Sequence, residues 1–487
     1  MSRRWLFADQ LGPHFLDHRH QPVLLIESKA VFRRRAYHRQ KAHLVLSALR
    51  HRAAELGDQA IFLRTETYRQ ALRGVREPLE VCHPTSRAAL AFVRSLDRVT
   101  VLPPRGFVTA VDDFAEWADG RRGALRMEAF YRFARERHRV LVDGDEPVGG
   151  RWSPDPENRE PPPKGARRLD LPPPPMPTED DIDAEVRADL DRWEREGIRF
   201  VGRDGPRRFP ATTREATARL RHFLRHRLTH FGRYADAMLA DDPWMAHSAL
   251  SSAFNLGLLD PVQAVRAAER AYRRDGAPLA AVEGFIRQVL GWRDYVWNLY
   301  WYFGRGHPGR DELAGRRSVP AWFRDLDADA VRARCLSDVL GDLREHGWVH
   351  HVPRLMVLGN YARQRGWHAA ELVDFFHRGF VDGYAWAMTV NAIGLSQYAD
   401  LDRRPYVAGG AYINRMSDYC GGCRYDPRQR LGADACPFTA GYWALLARDR
   451  NRLPPNARMA RQLAQLDRLP DVDQVLDQES HRGDQPP

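Results

Sequence analysis

The sequence predicts a protein with a parallel α/β domain at its N-terminus and an all-α domain over the rest of the chain. Three observations lead to this prediction. Short apolar runs alternate with amphipathic stretches over residues 1–135. Prolines are then frequent over residues 136–180, which favours an extended interdomain connector. Over residues 181–487, apolar residues recur at helical spacing.

The N-terminal domain is expected to contain a doubly wound parallel sheet. Its predicted strands are Trp5–Ala8, Val23–Glu27, Ala60–Leu63, Leu79–Cys82 and Val99–Leu102, and its predicted helices are Lys41–Leu56 and Ser86–Leu96. A G-x-G-x-x-G sequence is absent, so the domain lacks the dinucleotide-binding fingerprint. Ligands of such sheets bind at the carboxyl ends of strands, where Asp9, Gln10 and Glu27 stand. Each is either a ligand contact or an ordinary loop polar group.

A hydroxyl-rich turn in the helical domain is a candidate phosphate site. Residues Ser248–Ser252 lead into an apolar helix, so their amide and hydroxyl groups could meet a phosphate at the helix N-terminus. Ordinary capping of that helix is the alternative. Further along, Glu283 and Arg287 stand four residues apart and share one helix face. They form either a surface ion pair or part of a partly buried site.

Two adjacent histidines, His350 and His351, follow a helix that is predicted to begin at Cys335. Neighbouring side chains on a helix point in different directions, so these two alone make a poor metal-binding pair. An acid/base role suits the imidazole group, which titrates near neutral pH. Packing in the core is the other interpretation.

Four of the five cysteines form a candidate metal or cluster site. Cys420, Cys423 and Cys436 follow a C-x2-C-x12-C pattern, and Cys335 lies upstream. Four thiolates can bind zinc or an iron–sulfur cluster, and one close pair plus two single cysteines favours the cluster. The N-terminus lacks the apolar core of a signal peptide, which disfavours a disulfide. Cys82, in a predicted strand, is expected to be a buried small hydrophobic residue.

The overall composition limits the possible functions. The formal net charge is +11, which favours a polyanionic partner such as DNA. No apolar run approaches the roughly 18 residues that a membrane span requires. We therefore expect no membrane partner. The missing signal-peptide core predicts a cytoplasmic protein, and since nothing suggests a coiled coil, we expect a monomer.

The order of these motifs resembles the photolyase/cryptochrome flavoproteins. The turn at Ser248–Ser252 resembles the FAD phosphate segment of that family, and EGFIRQVLGWRDY, from Glu283 to Tyr295, resembles its Glu-x-x-x-Arg-Gln…Trp-Arg helix. FVDGYAWAMTVNAIG, from Phe380 to Gly394, resembles the Asp-Gly…Asn segment at the flavin ring. The DQL start, the GG-x-W…NR connector, HHVPRLMVLGN and the four cysteines are more narrowly similar to the prokaryotic iron–sulfur branch, the bacterial (6-4) photolyases and their cryptochrome relatives.

This resemblance implies a Rossmann-like antenna domain, a helical FAD-binding domain and a 4Fe–4S cluster. The implied cluster ligands are Cys335, Cys420, Cys423 and Cys436. The implied flavin contacts are Tyr234, Ser248, Leu250, Ser251, Glu283, Arg287, Trp292, Asn360, Asp382 and Asn391. The antenna in this branch is 6,7-dimethyl-8-ribityllumazine, and its candidate contacts are Asp9, Gln10, Glu27 and Lys41.

The activity that the resemblance implies is light-dependent repair of pyrimidine (6-4) photoproducts in UV-damaged DNA. Such a lesion must leave the base stack, and its repair requires an electron from excited reduced FAD and a proton. His351 is the expected proton donor, with His350 in support. The other implied residues are Tyr406 and Tyr412 in the lesion pocket, Trp348 and Trp386 in electron transfer, and Arg448, Arg450 and Arg452 at phosphates.

Three other functions agree with the same sequence. A cryptochrome-like blue-light photoreceptor would use the same cofactors for signalling. A zinc-stapled nucleic-acid-binding protein would need no flavin, but would leave the Glu283–Trp292 and Asp382–Asn391 segments without a purpose. Repair of cyclobutane dimers would differ from (6-4) repair only in the chemistry of the pocket.

Overall fold

The computed structural model describes residues 2–154, 158–304, 315–391, 407–453 and 457–487. Its N-terminal part contains a five-stranded parallel sheet in the order β3-β2-β1-β4-β5, as expected for a doubly wound domain. The strands are β1 Arg3–Leu6, β2 Val23–Ser28, β3 Ala60–Thr65, β4 Leu79–Cys82 and β5 Val99–Leu102. A short antiparallel hairpin follows, formed by β6 Val142–Asp143 and β7 Glu146–Pro147.

The sheet is buried on both faces, which explains why its strands are continuous apolar runs. Along β2, Leu24 packs with Trp5 on one face, whereas Val23 and Leu25 pack with Leu44 on the other. The helices of this part are α1 Ala30–Arg33, α2 Arg39–Leu56, α3 Tyr68–Leu72, α4 Arg87–Arg94, α5 Val111–Asp119 and α6 Met127–His138. The two predicted helices correspond to α2 and α4.

Helices dominate the chain from residue 181 onwards, as the sequence predicts. They are α7 Asp181–Arg195, α8 Thr213–His226, α9 Leu228–Phe231, α10 Ser251–Asn255, α11 Pro261–Asp275, α12 Leu279–Ile286, α13 Asp294–Tyr302, α14 Ala321–Arg324, α15 Arg334–His346, α16 Asn360–Arg365, α17 Ala369–Gly379, α18 Ala385–Val390, α19 Gly410–Met416, α20 Pro437–Arg448, α21 Ala457–Leu466 and α22 Val472–Arg482. Short 3-10 helices span Pro13–Phe15, Gly57–Gln59, Val148–Gly150, Ala328–Ala330 and Arg450–Arg452.

In the described part of the chain, two seven-residue π-helical segments lie between regular helices. Arg287–Arg293 joins α12 to α13, and Pro353–Gly359 leads into α16. Wide turns of this kind are rare and occur frequently at functional sites, because the extra residue in the turn redirects side chains.

The proline-rich connector packs on the helical part. Arg219 and Arg227, both on or just after α8, donate hydrogen bonds to the carbonyl groups of Pro175 and Pro172, each at 2.7 Å. Helix α7 begins with a capping box at Asp180 and packs its apolar face on α2. The predicted domain limits at residues 135 and 180 remain predictions. No helix in the described part of the chain is long and apolar enough to cross a membrane.

Candidate functional site

The helical part encloses a cavity of about 1420 Å³. This volume exceeds the roughly 300–1,000 Å³ of common small-molecule pockets. Both π-helical segments supply wall residues, among them Arg287, Trp292, Arg354 and Met356. The cavity is therefore large enough for a dinucleotide-sized ligand together with a second, smaller group.

The cavity wall is strongly cationic. Among the residues that the structure describes, two aspartates line it, Asp236 and Asp382. Seven arginines of the same described set line it, namely Arg159, Arg287, Arg293, Arg354, Arg415, Arg428 and Arg430. A wall with this balance of charge suits an anionic ligand such as a phosphodiester or a diphosphate.

Asp382 is the polar centre of the cavity. Its carboxylate accepts hydrogen bonds from Arg354 at 2.8 and 3.0 Å and a further bond from the Ser251 hydroxyl, and its backbone carbonyl accepts one from Asn255. Burial favours the neutral acid, but Arg354 and Ser251 outweigh burial and lower the pKa of Asp382. Asp382 is thus held as a carboxylate that orients Arg354.

The hydroxyl-rich turn forms another wall of the cavity. Ser248, Leu250 and Ser251, three of the implied flavin contacts, all line it. Between them, Ala249 has a φ of 51°, a left-handed conformation that is uncommon for a residue with a Cβ atom. Strain of this kind accumulates at ligand-binding segments. Within this turn, the hydrogen bond to Asp382 fixes the position of the Ser251 side chain.

A third histidine, His247, joins His350 and His351 in the cavity. The rings of His247 and His350 stack at a centroid distance of 4.3 Å, and His351 meets His247 edge-on at 5.1 Å. Burial is the main cause that lowers the pKa of all three, so neutral imidazoles are favoured. His351 is exposed to the open space of the cavity, whereas His247 and His350 are buried.

The remaining implied flavin contacts divide into two groups. Trp292 and Asn391 line the cavity, and so does Arg287, which pairs at 3.3 Å with the buried Glu283 behind it. Tyr234 and Asn360 are outside the lining. The Asn360 amide instead donates hydrogen bonds to the Met356 and Ala408 carbonyl groups, and the Tyr234 ring lies under Arg233. Tyr412 lines the cavity, and Tyr406 lies outside the described residues.

Both tryptophans that the resemblance assigns to electron transfer line the cavity. Trp348 packs against Trp244 at a centroid distance of 5.1 Å. Trp386 contacts the fully buried Trp297 at 5.8 Å, and Trp297 contacts the half-buried Trp301 at 5.5 Å. The sequence does not identify Trp297 as a neighbour of Trp386, because only the packing of α13 on α18 brings the two rings together.

The four cysteines Cys335, Cys420, Cys423 and Cys436 line one small, separate cavity. Burial and the neighbouring thiols raise the pKa of Cys420 to about 12, so thiolates here require a positively charged group. The four-thiol set therefore fits a zinc ion or a larger cluster, as the sequence pattern also allows. Cys82 is buried in the core at β4.

The candidate antenna residues lie in two environments. Asp9 accepts a hydrogen bond from Thr85, and Gln10 donates to the Cys82 carbonyl at 2.9 Å, where the sheet reverses its strand order between β1 and β4. Lys41 is buried, donates to the His377 and Gly383 carbonyl groups, and has its pKa lowered to about 7 by burial. Glu27 instead forms a buried two-point ion pair with Arg50, at 2.9 and 2.8 Å.

Two of the three arginines that the resemblance assigns to phosphates have partners within the protein. Arg448 donates hydrogen bonds to the carbonyl groups of Gln364 and Arg363, and Arg450 pairs with Asp467. Arg415 and Arg428, which line the cavity and are exposed, are better placed for a phosphate.

Comparisons with known proteins agree with this architecture. A family described as "Deoxyribodipyrimidine photo-lyase-related protein" matches residues 4–199. The (6-4) photolyase of Agrobacterium fabrum is 36% identical over 490 residues, which cover 94% of each protein. A crystal structure of a Synechocystis cryptochrome covers 99% of this chain and 98% of its own, with a TM-score of 0.59 and 13% identity. A class III photolyase from Agrobacterium tumefaciens covers 99% of this chain and 96% of its own, with a TM-score of 0.53 and 12% identity.

Proposed function

Because the chain belongs to the photolyase/cryptochrome family, in its prokaryotic iron–sulfur branch, we propose that it repairs pyrimidine (6-4) photoproducts in DNA under blue light. The observation that supports this most is a single arginine-lined cavity that joins Ser251 and Asp382, from the flavin motifs, with His351 and Tyr412. Cofactor residues and lesion residues thus face the same space.

FAD is the proposed occupant of the inner part of the cavity. Ser248, Leu250 and Ser251 would hold its phosphates, and Arg287 would add positive charge. Arg354, oriented by Asp382, would lie at the flavin ring. When bound and reduced, FAD supplies the electron that repair requires after it absorbs blue light.

The damaged base would occupy the outer part of the cavity. A base that leaves the stack enters a pocket and is held by stacking and polar contacts, which Tyr412 and His351 can provide. His351 is exposed within the cavity, so its ring can reach a ligand. Burial lowers the pKa of His351, and so do three neighbouring arginines, Arg354, Arg159 and Arg287. Phosphate groups bound in the cavity would offset these arginines and would favour the protonated ring, which gives a proton to the migrating hydroxyl group. His350 is buried behind it and holds the geometry of the histidine group.

A chain of tryptophans would connect the flavin site to the interface between the two parts of the protein. Trp386 lines the cavity, Trp297 is its buried neighbour, and Trp301 is half-buried at the outer end. Ring contacts of 5.8 and 5.5 Å keep these three side chains within short steps of one another. We assign them to electron supply, with Trp348 as a separate candidate.

The four cysteines would hold a 4Fe–4S cluster. Their convergence on one cavity supports a shared metal centre, and the sequence pattern of one close pair plus two single cysteines favours a cluster over zinc. The cluster would join α15, which carries Cys335, to the loop before α20, which carries the other three ligands. We assign it a structural or redox-sensing role rather than that of the catalytic electron source.

The lumazine antenna is proposed to lie near Asp9, Gln10 and Lys41. The first two stand where the strand order reverses, which is the usual ligand position in a doubly wound sheet. Glu27 is a weaker candidate, because Arg50 already neutralises its carboxylate.

The proposal is tested by replacing the proton donor. His351→Ala should lower (6-4) repair by roughly 10²-fold or more, the usual contribution of a positioned acid, while bound FAD is retained. His481→Ala, which removes an exposed histidine, serves as the matched control and should repair normally. Normal repair by the His351→Ala variant would exclude His351 as the donor. A wild-type protein that binds FAD and repairs nothing would favour the photoreceptor instead.

A further inference from the structure

The three cavity histidines have a geometry that proton donation alone does not require. One ring nitrogen from each of His247, His350 and His351 lies within 4.8 Å of the others. The sequence alone suggests that the adjacent pair is a poor metal-binding pair, and this changes once His247 packs against both rings.

We propose that His247, His350 and His351 form a binding site for a divalent transition-metal ion such as Zn²⁺. Zinc sites with three histidine ligands keep a fourth position open for water or another ligand, and here that position would face the cavity. With Zn–N bonds of about 2.0–2.1 Å, the nitrogens of a tetrahedral site lie about 3.3 Å apart. The ligand nitrogens would therefore have to approach one another by at most about 1.5 Å.

Two buried nitrogen atoms support the site independently of this spacing. His247 Nε2 and His350 Nδ1 have no hydrogen-bond partner among the described residues, although both side chains are more than nine-tenths buried and line the cavity. Buried polar atoms are normally paired, so an unpaired one calls for an explanation such as an ion. Coordination would satisfy both nitrogens at once.

The ligand atoms and the neighbouring charges determine which class of metal ion the site would favour. Three imidazole nitrogens without a carboxylate favour Zn²⁺, Cu²⁺ or Ni²⁺ over Mg²⁺ and Ca²⁺, which prefer oxygen. Asp236 near His351 attracts a cation, but more of the neighbouring groups repel one, so the balance is repulsive. The repelling groups are Arg227 and Arg354 near His247, and Arg159 and Arg287 near His351. We therefore expect the open fourth position to take an anionic ligand, because an anion would offset this repulsion.

The ion would act as an inhibitor of repair. A metal bound to His351 occupies the nitrogen that would otherwise deliver a proton, so the loaded protein would repair more slowly until a chelator removes the ion. This consequence rests on the proposed function, whereas the binding site itself does not.

Zinc titration of the full-length protein with FAD and cluster in place tests the site. Calorimetry and equilibrium dialysis should show that His247→Gln and His350→Gln each bind the cavity ion more weakly. The loss should exceed the roughly 10–100-fold effect of removing an outer-shell partner. The control replaces both His222 and His226 with Ala, which removes a neighbouring histidine pair on α8 that is outside the cavity. Equal zinc affinity and stoichiometry in wild type and His247→Gln would overturn the proposal.

A spectroscopic experiment on the wild-type protein keeps the proposal testable if these variants lose FAD. Electron paramagnetic resonance of added Cu²⁺ counts the coordinating imidazoles directly. The α8 pair, His222 and His226, can also bind Cu²⁺, but it offers two imidazoles. We therefore expect three nitrogen ligands for the equivalent of Cu²⁺ that binds outside that pair. Fewer than three would overturn the proposal. Because neither experiment measures repair, three ligands in a protein without (6-4) activity would refute the proposed function and leave the metal site standing.

Discussion

At the scale of single residues, Asp382 determines how the cavity is arranged. Its hydrogen bonds join three segments around the cavity: the π-helical segment Pro353–Gly359 through Arg354, the hydroxyl-rich turn through Ser251, and α10 through Asn255. The sequence motif places Asp382 at the site, but the partners of its carboxylate come from segments 28 and 131 residues away. Their identity follows only from the packing of those segments.

Asp382→Asn should weaken both FAD binding and thermal stability. The amide keeps the shape of the side chain but removes the charge, which leaves Arg354 largely buried without a counterion. Breaking such a pair costs about 3–5 kcal/mol. The ratio of flavin to protein after gel filtration and the apparent Tm should both fall.

Asp467→Asn is the control for this experiment. It removes one charge from an ion pair with Arg450 in which both side chains are 48% exposed. Solvent screens such pairs, so the apparent Tm should change little. Equal effects of the two substitutions would show that Asp382 has no special role.

At the scale of secondary-structure elements, the cysteine site depends on α15 and the loop before α20. Cys335 is the second residue of α15, and Cys436 caps the start of α20. The C-x2-C-x12-C pattern identifies three ligands from local spacing. The fourth is distant in sequence, and it joins the others because α15 packs beside the loop.

Cys335→Ser should lower the iron content below the roughly four atoms of a complete cluster. Three remaining thiolates bind a cluster less completely, and the brown absorbance should decrease with the iron. Iron and sulfide analysis of freshly purified protein measures the change. Cys82→Ala is the matched control, because Cys82 lies in the β4 core and should not affect iron. An unchanged iron content in Cys335→Ser would exclude this residue as a ligand.

Helices α13 and α18 bring the tryptophan chain together. Trp297→Phe should slow the reduction of bound FAD in blue light without changing how much FAD binds, because it removes the middle member between Trp386 and Trp301. Steady illumination with an external reductant, followed by flavin absorbance, measures the rate. Trp193→Phe is the control, because Trp193 is buried in a separate cluster against α2, and FAD in this variant should be reduced at the wild-type rate. Equal rates of FAD reduction in both variants would show that Trp297 does not carry electrons to the flavin.

At the scale of the whole molecule, the order of elements was largely predictable. Alternating apolar and amphipathic stretches identify the parallel sheet and its five strands, because a sheet buried on both faces has a strong local pattern. The packing of α7 on α2 and the His247–His350 stack were not predictable, since they join segments far apart in sequence. Most motifs of the cavity are therefore recognisable in the sequence, but the way they assemble into one cavity follows only from the three-dimensional packing.

DNA binding should depend on salt through the exposed arginines of the cavity. Arg428→Gln should weaken binding to lesion-containing DNA and reduce the slope of log K against log salt by about 1, the value for one phosphate contact. Fluorescence anisotropy at several salt concentrations measures the slope. Arg19→Gln is the control, because Arg19 is exposed in the N-terminal domain and outside the cavity lining. Identical slopes for the two variants would mean that Arg428 contacts no phosphate.

The measurement that tests the central claim most directly is repair of two defined lesions by the wild-type protein. One duplex carries a single (6-4) photoproduct and the other a cyclobutane dimer, and chromatography measures the restored thymines in blue light and in darkness. We predict that thymines are restored from the (6-4) photoproduct in light alone and that the cyclobutane dimer remains intact. Repair of the cyclobutane dimer alone, or no repair of either lesion by FAD-loaded protein, would contradict the account.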